Sequence, residues 1–153
     1  MMESILSQEI LERIGVEKVL SYEVTPREIK RFSEVIGAGL PQVLNDGRLV
    51  APPLFCQMFM FEDVPIEQLP LDGSPSELDV PIPAQRTVGG QSDFEIHRSV
   101  MSGDKITVRS KLHDVQIKNG KSGQLYLIVV KTSFHNQFDE LVSQETATYV
   151  KRI

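Results

Sequence analysis

The sequence predicts an α+β fold in which an antiparallel β-sheet wraps around one central apolar helix. Two observations carry that prediction. After Gln91 the chain runs through successive segments of alternating apolar and polar residues, joined by turn signals. Before them stands one stretch that is apolar almost all round, Leu54-Phe55-Cys56-Gln57-Met58-Phe59-Met60-Phe61, entered through Pro52-Pro53. The inner face of such a sheet needs a hydrophobic body against it, and this octapeptide is the candidate rod.

Each element follows from local pattern. Ile5, Leu6, Ile10, Leu11 and Ile14 fall on one helical face, and Gly15 supplies a left-handed stop, so residues 1–15 read as a short amphipathic helix. Leu20, Tyr22 and Val24 alternate with polar residues as a half-buried strand does. Thr25-Pro26-Arg27-Glu28 then has the cap, the first-turn proline and the capping-box glutamate of a helix start. Ile29, Phe32, Val35 and Ile36 continue that helix on one face until Gly37 and Gly39. Residues 37–50, rich in Gly, Pro and Asn, form an irregular overhang that leads to the apolar octapeptide. Residues 62–86 form a proline-rich acidic loop, read as a surface excursion without regular structure.

The β half begins with Phe94 and Ile96 alternating with Asp93, Glu95 and His97. Ser102-Gly103-Asp104 turns the chain into a strand with Ile106, Val108 and Leu112. Its apolar phase shifts by one at Val115 and Ile117, the mark of a β-bulge. Asn119-Gly120 signals a hairpin. Leu125 to Phe134 is apolar on both faces at first and belongs in the middle of the sheet. A turn at Asn136 to Asp139 precedes a last strand over Glu140 to Arg152. No repeat or boundary divides the chain, which reads as one domain over 1–153.

The bulk properties set limits. A chain of 153 residues buries roughly 70% of its unfolded surface, enough for one proper core. Its net charge is −5, with no Lys/Arg cluster, which argues against nucleic acid. The longest apolar run, Leu125 to Val130, is too short to span a bilayer. Glu3, Glu9 and Glu12 give the N-terminus the wrong character for a targeting signal. The lone Cys56 allows no internal disulfide and suits a reducing compartment, so a cytoplasmic location is expected. His113 and His135 lack Cys or His at ligand spacing, and no metal site is expected.

An antiparallel sheet around one apolar helix is the hotdog arrangement, and three segments refine it. Tyr22-Glu23-Val24-Thr25 leading to Ile29-Lys30-Arg31-Phe32-Ser33 resembles the opening of MaoC-like dehydratase N-terminal domains, the fatty-acid-synthase-like dehydratase type. Leu49-Val50-Ala51-Pro52-Pro53-Leu54-Phe55 resembles the entry to their central helix. Gly89-Gly90-Gln91-Ser92-Asp93-Phe94-Glu95-Ile96-His97-Arg98-Ser99-Val100, then Ser102-Gly103-Asp104, resembles their strand and turn, with Ser99 where the family usually has proline. The resemblance spans residues 20 to 152. It implies an acyl thioester ligand, carried on CoA or acyl carrier protein, with no cofactor. It also implies an active site completed by a second hotdog domain, in a homodimer or in a heterodimer with a catalytic MaoC-like subunit.

Hydrating an enoyl thioester takes an acid–base pair, donors for the thioester oxygen as it becomes enolate-like, and an apolar slot. In catalytic relatives a closely spaced Asp and His sit in the overhang. Here Gly37 to Leu44 contains neither, and Asp46 has Ala51 five positions on. The chain is therefore expected to carry no catalytic residue and to be inactive alone in enoyl-CoA hydration or 3-hydroxyacyl dehydration. The substrate-binding candidates are Pro53 and the helix start, Leu54, Phe55, Met58 and Phe59 for the slot, and Gly90, Gln91 and His97 on the first β segment. The other reading of each apolar candidate is plain core. Gln57 and Glu62 are the residues of an alternative, a homodimeric thioesterase. A second alternative is a non-enzymatic binding module for acyl thioesters.

Overall fold

The structure, a computed structural model, describes residues 6–60, 62–69, 80–82, 86–120 and 123–152. Helix α1 (Gln8–Arg13) starts at Ser7, whose hydroxyl accepts from the Ile10 amide, and it is followed by Gly15 at φ 84°. Residues 1–5 of the expected N-terminal helix lie outside the described residues. Strand β1 (Glu17–Glu23) alternates as expected and leads to helix α2 (Pro26–Val35). Its capping box is complete: the Thr25 hydroxyl accepts from the Glu28 amide, and the Glu28 carboxylate accepts from the Thr25 amide at 2.8 Å. The buried face of α2 is Ile29 and Ser33, with Phe32 packed beside them. Val35 and Ile36, expected on that face, are 86% and 50% exposed: Val35 stands about 120° round the helix from Ile29, and Ile36 is the C-cap where the helix ends.

Strands β2 (Arg86–Ile96), β3 (Lys105–Gly120), β4 (Gly123–His135) and β5 (Leu141–Arg152) join β1 in one antiparallel sheet of order β1-β3-β4-β5-β2. The expected bulge in β3 falls between Leu112 and Asp114, so the extra residue is His113. β4 is the central strand, as its two-sided apolar run requires. The hairpin is present, but Asn119 and Gly120 still pair with Gln124 and Gly123, and the connection falls at 121–122, outside the described residues. β2 begins before Gln91 and bulges between Gly89 and Gln91.

The central element differs in kind from the expected helix. It is a five-residue 3-10 helix, Phe55–Phe59, and its side chains Phe55, Cys56 and Phe59 are buried. The cause lies in its entry. Leu54 adopts a left-handed φ of 68°, which breaks the helical path immediately before Phe55. Leu54 and Met58 are exposed. Phe61 lies outside the described residues. The remaining aromatics lock the element in place. Phe59 stacks on Tyr22 of β1 at 4.9 Å between centroids, and Phe55 meets Phe32 of α2 edge-on at 5.5 Å.

Two apolar clusters share the inner face of the sheet. The first joins Ile106, Val108 and Phe134 to α2 and the 3-10 helix. The second joins Leu112, Val115, Ile128 and Val130 to Ile10 of α1 and to Val80 and Ile82. Burying each large side chain completely contributes on the order of 1.5–3 kcal/mol. The last two residues correct the expectation for 62–86. That stretch contains a 3-10 turn at Ile66–Gln68, and at Val80 and Ile82 it returns to roof the sheet. Residues 70–79 and 83–85 lie outside the described residues.

Candidate functional site

A cavity of about 200 Å³ opens where the overhang enters the 3-10 helix. Val50 to Cys56 form one wall, Phe94, Ile96 and Arg98 to Val100 another, and Val142 and Ser143 of β5 the base. Exposure gives the cavity a direction. Pro53, Leu54, Ile96, Arg98 and Ser99 are exposed at its mouth, whereas Ala51, Phe55, Cys56, Val100, Val142 and Ser143 are buried at its floor. Period-two alternation in β2 aims Phe94 and Ile96 at the cavity and sends Glu95 and His97 to the opposite face. Leu54 holds its left-handed backbone at the mouth, a conformation that costs a non-glycine residue about 1 kcal/mol or more.

Three of the sequence candidates, Pro53, Leu54 and Phe55, line this cavity. Five lie elsewhere. Met58 is exposed, and Phe59 is committed to its stack on Tyr22. His97 is at the surface, its Nε2 3.6 Å from Glu95 Oε2. Gln91 is exposed and donates to Asp93 at 2.7 Å. Gly90 sits at the β2 bulge, where a Cβ would stand 2.9 Å from the Thr148 carbonyl oxygen. Four residues of strand separate Gly90 from Phe94, roughly 13 Å along β2. Of the thioesterase candidates, Glu62 pairs with Lys18 at 2.6 Å, and neither Gln57 nor Glu62 borders the cavity.

Among the described residues that line the cavity there is no Asp, Glu or His. The overhang's own carboxylate, Asp46, is engaged. It accepts from the Arg48 amide at 3.1 Å and from Arg48 Nε at 2.7 Å, and these bonds, the amide first, hold it below the usual carboxylate range. At the floor, burial pushes the Cys56 thiol up to about 11, against a smaller lowering by the Ser143 hydroxyl beside it. That contact is loose, since Ser143 Oγ has no hydrogen-bond partner at proper geometry although the residue is only 2% exposed. Sequence reasoning missed Ser143 and Arg98. The signal for Ser143 lay in the phase of β5, where period two counted back from Tyr149 through Ala147 turns Glu145 and Ser143 inward. Among the described residues no three His, Cys, Asp or Glu gather as metal ligands. Nor is any described helix long and apolar enough to cross a membrane.

A five-stranded antiparallel sheet of this order, with its inner face closed by a short apolar helix and a pocket at that helix's entry, defines a hotdog domain. Its family follows from sequence: residues 13–145 match the model of the FAS1-like dehydratase domain region, and the chain belongs to that family. Solved structures agree at the level of fold. The ChsH1-ChsH2 complex from Mycobacterium tuberculosis has a chain that is 19% identical, with TM-score 0.67 and 94% of each chain covered. A MaoC-like dehydratase from Rhodospirillum rubrum is 19% identical, with TM-score 0.59 over 91% of this chain and 92% of that one. The HadBC (3R-hydroxyacyl-ACP dehydratase) complex from M. tuberculosis is 19% identical, with TM-score 0.60 over 90% and 96%.

Proposed function

We propose that this chain is the substrate-binding half of a hydro-lyase acting on acyl thioesters, with the acid–base pair supplied by a second hotdog domain. The observation that carries the reading is the cavity itself, apolar inside and, among the described residues, without a carboxylate or imidazole on its walls. Such a slot can hold and orient an acyl group but has nothing to move a proton at the α-carbon. The thioester and its carrier sit at the exposed mouth, where the Arg98 guanidinium, 3.2 Å from Glu140, gives an anionic carrier a cation to approach.

The partner reading draws on two features. Two of the similar structures are complexes of named subunits. On this chain, α2 and the overhang carry Val35, Ile36, Leu40 and Val43, apolar and 50% exposed or more, the surface expected where another domain docks. Hydrolysis by this chain alone has less support, because Glu62 is already paired and stands away from the cavity.

The test compares enoyl-CoA hydration by the purified chain with that of the chain isolated together with its native partner. Negligible turnover alone and turnover in the complex are expected. Robust hydration by the chain by itself overturns the proposal.

A further inference from the structure

Nearly every buried wall of the cavity is hydrocarbon, and Ser143 stands out against it. Its hydroxyl is buried at the floor and reaches no hydrogen-bond partner. A buried hydroxyl left unpaired costs on the order of 1–3 kcal/mol, so an unsatisfied one facing a cavity calls for a group supplied from outside. Cys56, beside it, is a poor substitute, because a thiol is only a weak donor and acceptor. The next inward residue of β5 is Glu145, also buried, whose Oε1 accepts from the Ser92 hydroxyl while Oε2 has no partner. Two successive inward positions of one strand, about 7 Å apart, thus hold unsatisfied oxygens. The first of them borders the cavity.

We infer that Ser143 is a specificity residue and that the acyl chain this cavity takes carries a hydroxyl beyond C3, past the carbons at which hydration or dehydration acts. The inference rests on the cavity being an acyl slot. The thioester stays at the mouth with Arg98 and Ser99, so the atoms that reach Ser143 are those farther along the chain. A plain hydrocarbon there leaves the Ser143 hydroxyl unsatisfied. A hydroxyl satisfies it, and a site built to bond a hydroxyl discriminates against the analogue that lacks one. A hydroxyl suits Ser143 because it can either accept from it or donate to it.

Calorimetry of the full chain with hexanoyl-CoA and with 4-, 5- and 6-hydroxyhexanoyl-CoA tests this. At least one hydroxylated probe is expected to bind about five-fold or more tightly than hexanoyl-CoA, the value of one added hydrogen bond. Ser143→Ala is expected to abolish that preference, so that the hydroxylated probes and hexanoyl-CoA bind alike. If Ser143→Ala fails to fold, Ser143→Cys, of nearly the same shape and with weak bonding capacity, is expected to reduce the preference. The wild-type comparison decides without either variant. Equal binding of all four probes means that a water satisfies Ser143 and overturns the inference, while the acyl-slot reading stands. Binding of none of them removes both.

Discussion

At the scale of single residues, the floor of the cavity makes a prediction about pH. Desolvation holds the Cys56 thiol near 11 in the folded chain, against an ordinary value of 9.0. The protonated thiol is the favoured form, so the folded state keeps its proton more tightly than the unfolded one. This contribution, on the order of 2 kcal/mol, is fully present below pH 9 and is lost as pH rises toward 11. Denaturant unfolding of the wild type and Cys56→Ala at pH 8 and at pH 10.5 checks the sign: the wild type loses stability across that interval and the variant loses less. Alkylation gives a second readout, since folded protein at pH 8 reacts much more slowly than the unfolded chain. Equal rates in the two states place the thiol outside the packed floor. The buried nature of Cys56 was legible from its apolar neighbours. Ser143, on β5 with three strands intervening in sequence, was hidden, because a lone serine within Val142-Ser143-Gln144 looks like an ordinary outward position.

At the scale of elements, the glycines before Gln91 make the same point in reverse. Gly90, a substrate-binding candidate on sequence grounds, has the Thr148 carbonyl of β5 as its close neighbour at the bulge. Gly90→Ala puts a Cβ at 2.9 Å from backbone that cannot swing aside. The expected cost is about 1–3 kcal/mol in denaturant unfolding, with faster amide exchange along the β2 edge. Acyl-CoA binding by the folded fraction should be unchanged, since Gly90 lies roughly 13 Å of strand from the cavity wall. A variant as stable as wild type that has lost binding would return Gly90 to the site. The features that sequence revealed best were those fixed by neighbours in the chain. The Thr25–Glu28 capping box, the β3 bulge and the central place of β4 each depend on a few adjacent residues. The 3-10 form of the central element was hidden. Hydrophobicity shows that Phe55 and Phe59 are buried, but the path between them depends on the Leu54 backbone angle, which no side-chain pattern records.

At the scale of the whole molecule, a row of polar side chains runs across the inner face between the two apolar clusters. Lys18 of β1 stands opposite Ser110 of β3, Ser110 opposite Thr132 of β4, and Thr132 opposite Glu145 of β5, which accepts from Ser92 of β2. Each member found a partner within reach: Lys18 took Glu62, and Ser110 and Thr132 took each other at 3.1 Å. This division explains why the chain needs two roofs, α2 with the 3-10 helix over one cluster and α1 with Val80 and Ile82 over the other. A sequence reading that sought one rod for one core placed α1, α2 and the central element but missed Val80 and Ile82, which it put in a surface excursion. The Ser110–Thr132 pair sits at the seam and makes the division testable by a double-mutant cycle. Ser110→Ala or Thr132→Val alone leaves the other hydroxyl buried without a partner, at a cost of about 1–3 kcal/mol. Replacing both removes the two polar groups together and lets apolar surface meet across the seam. The double variant is therefore expected to lose less stability than the sum of the singles, with a coupling of roughly 1 kcal/mol from denaturant unfolding. Strict additivity would mean that the two hydroxyls do not depend on each other, and that the clusters are separated by something other than this row.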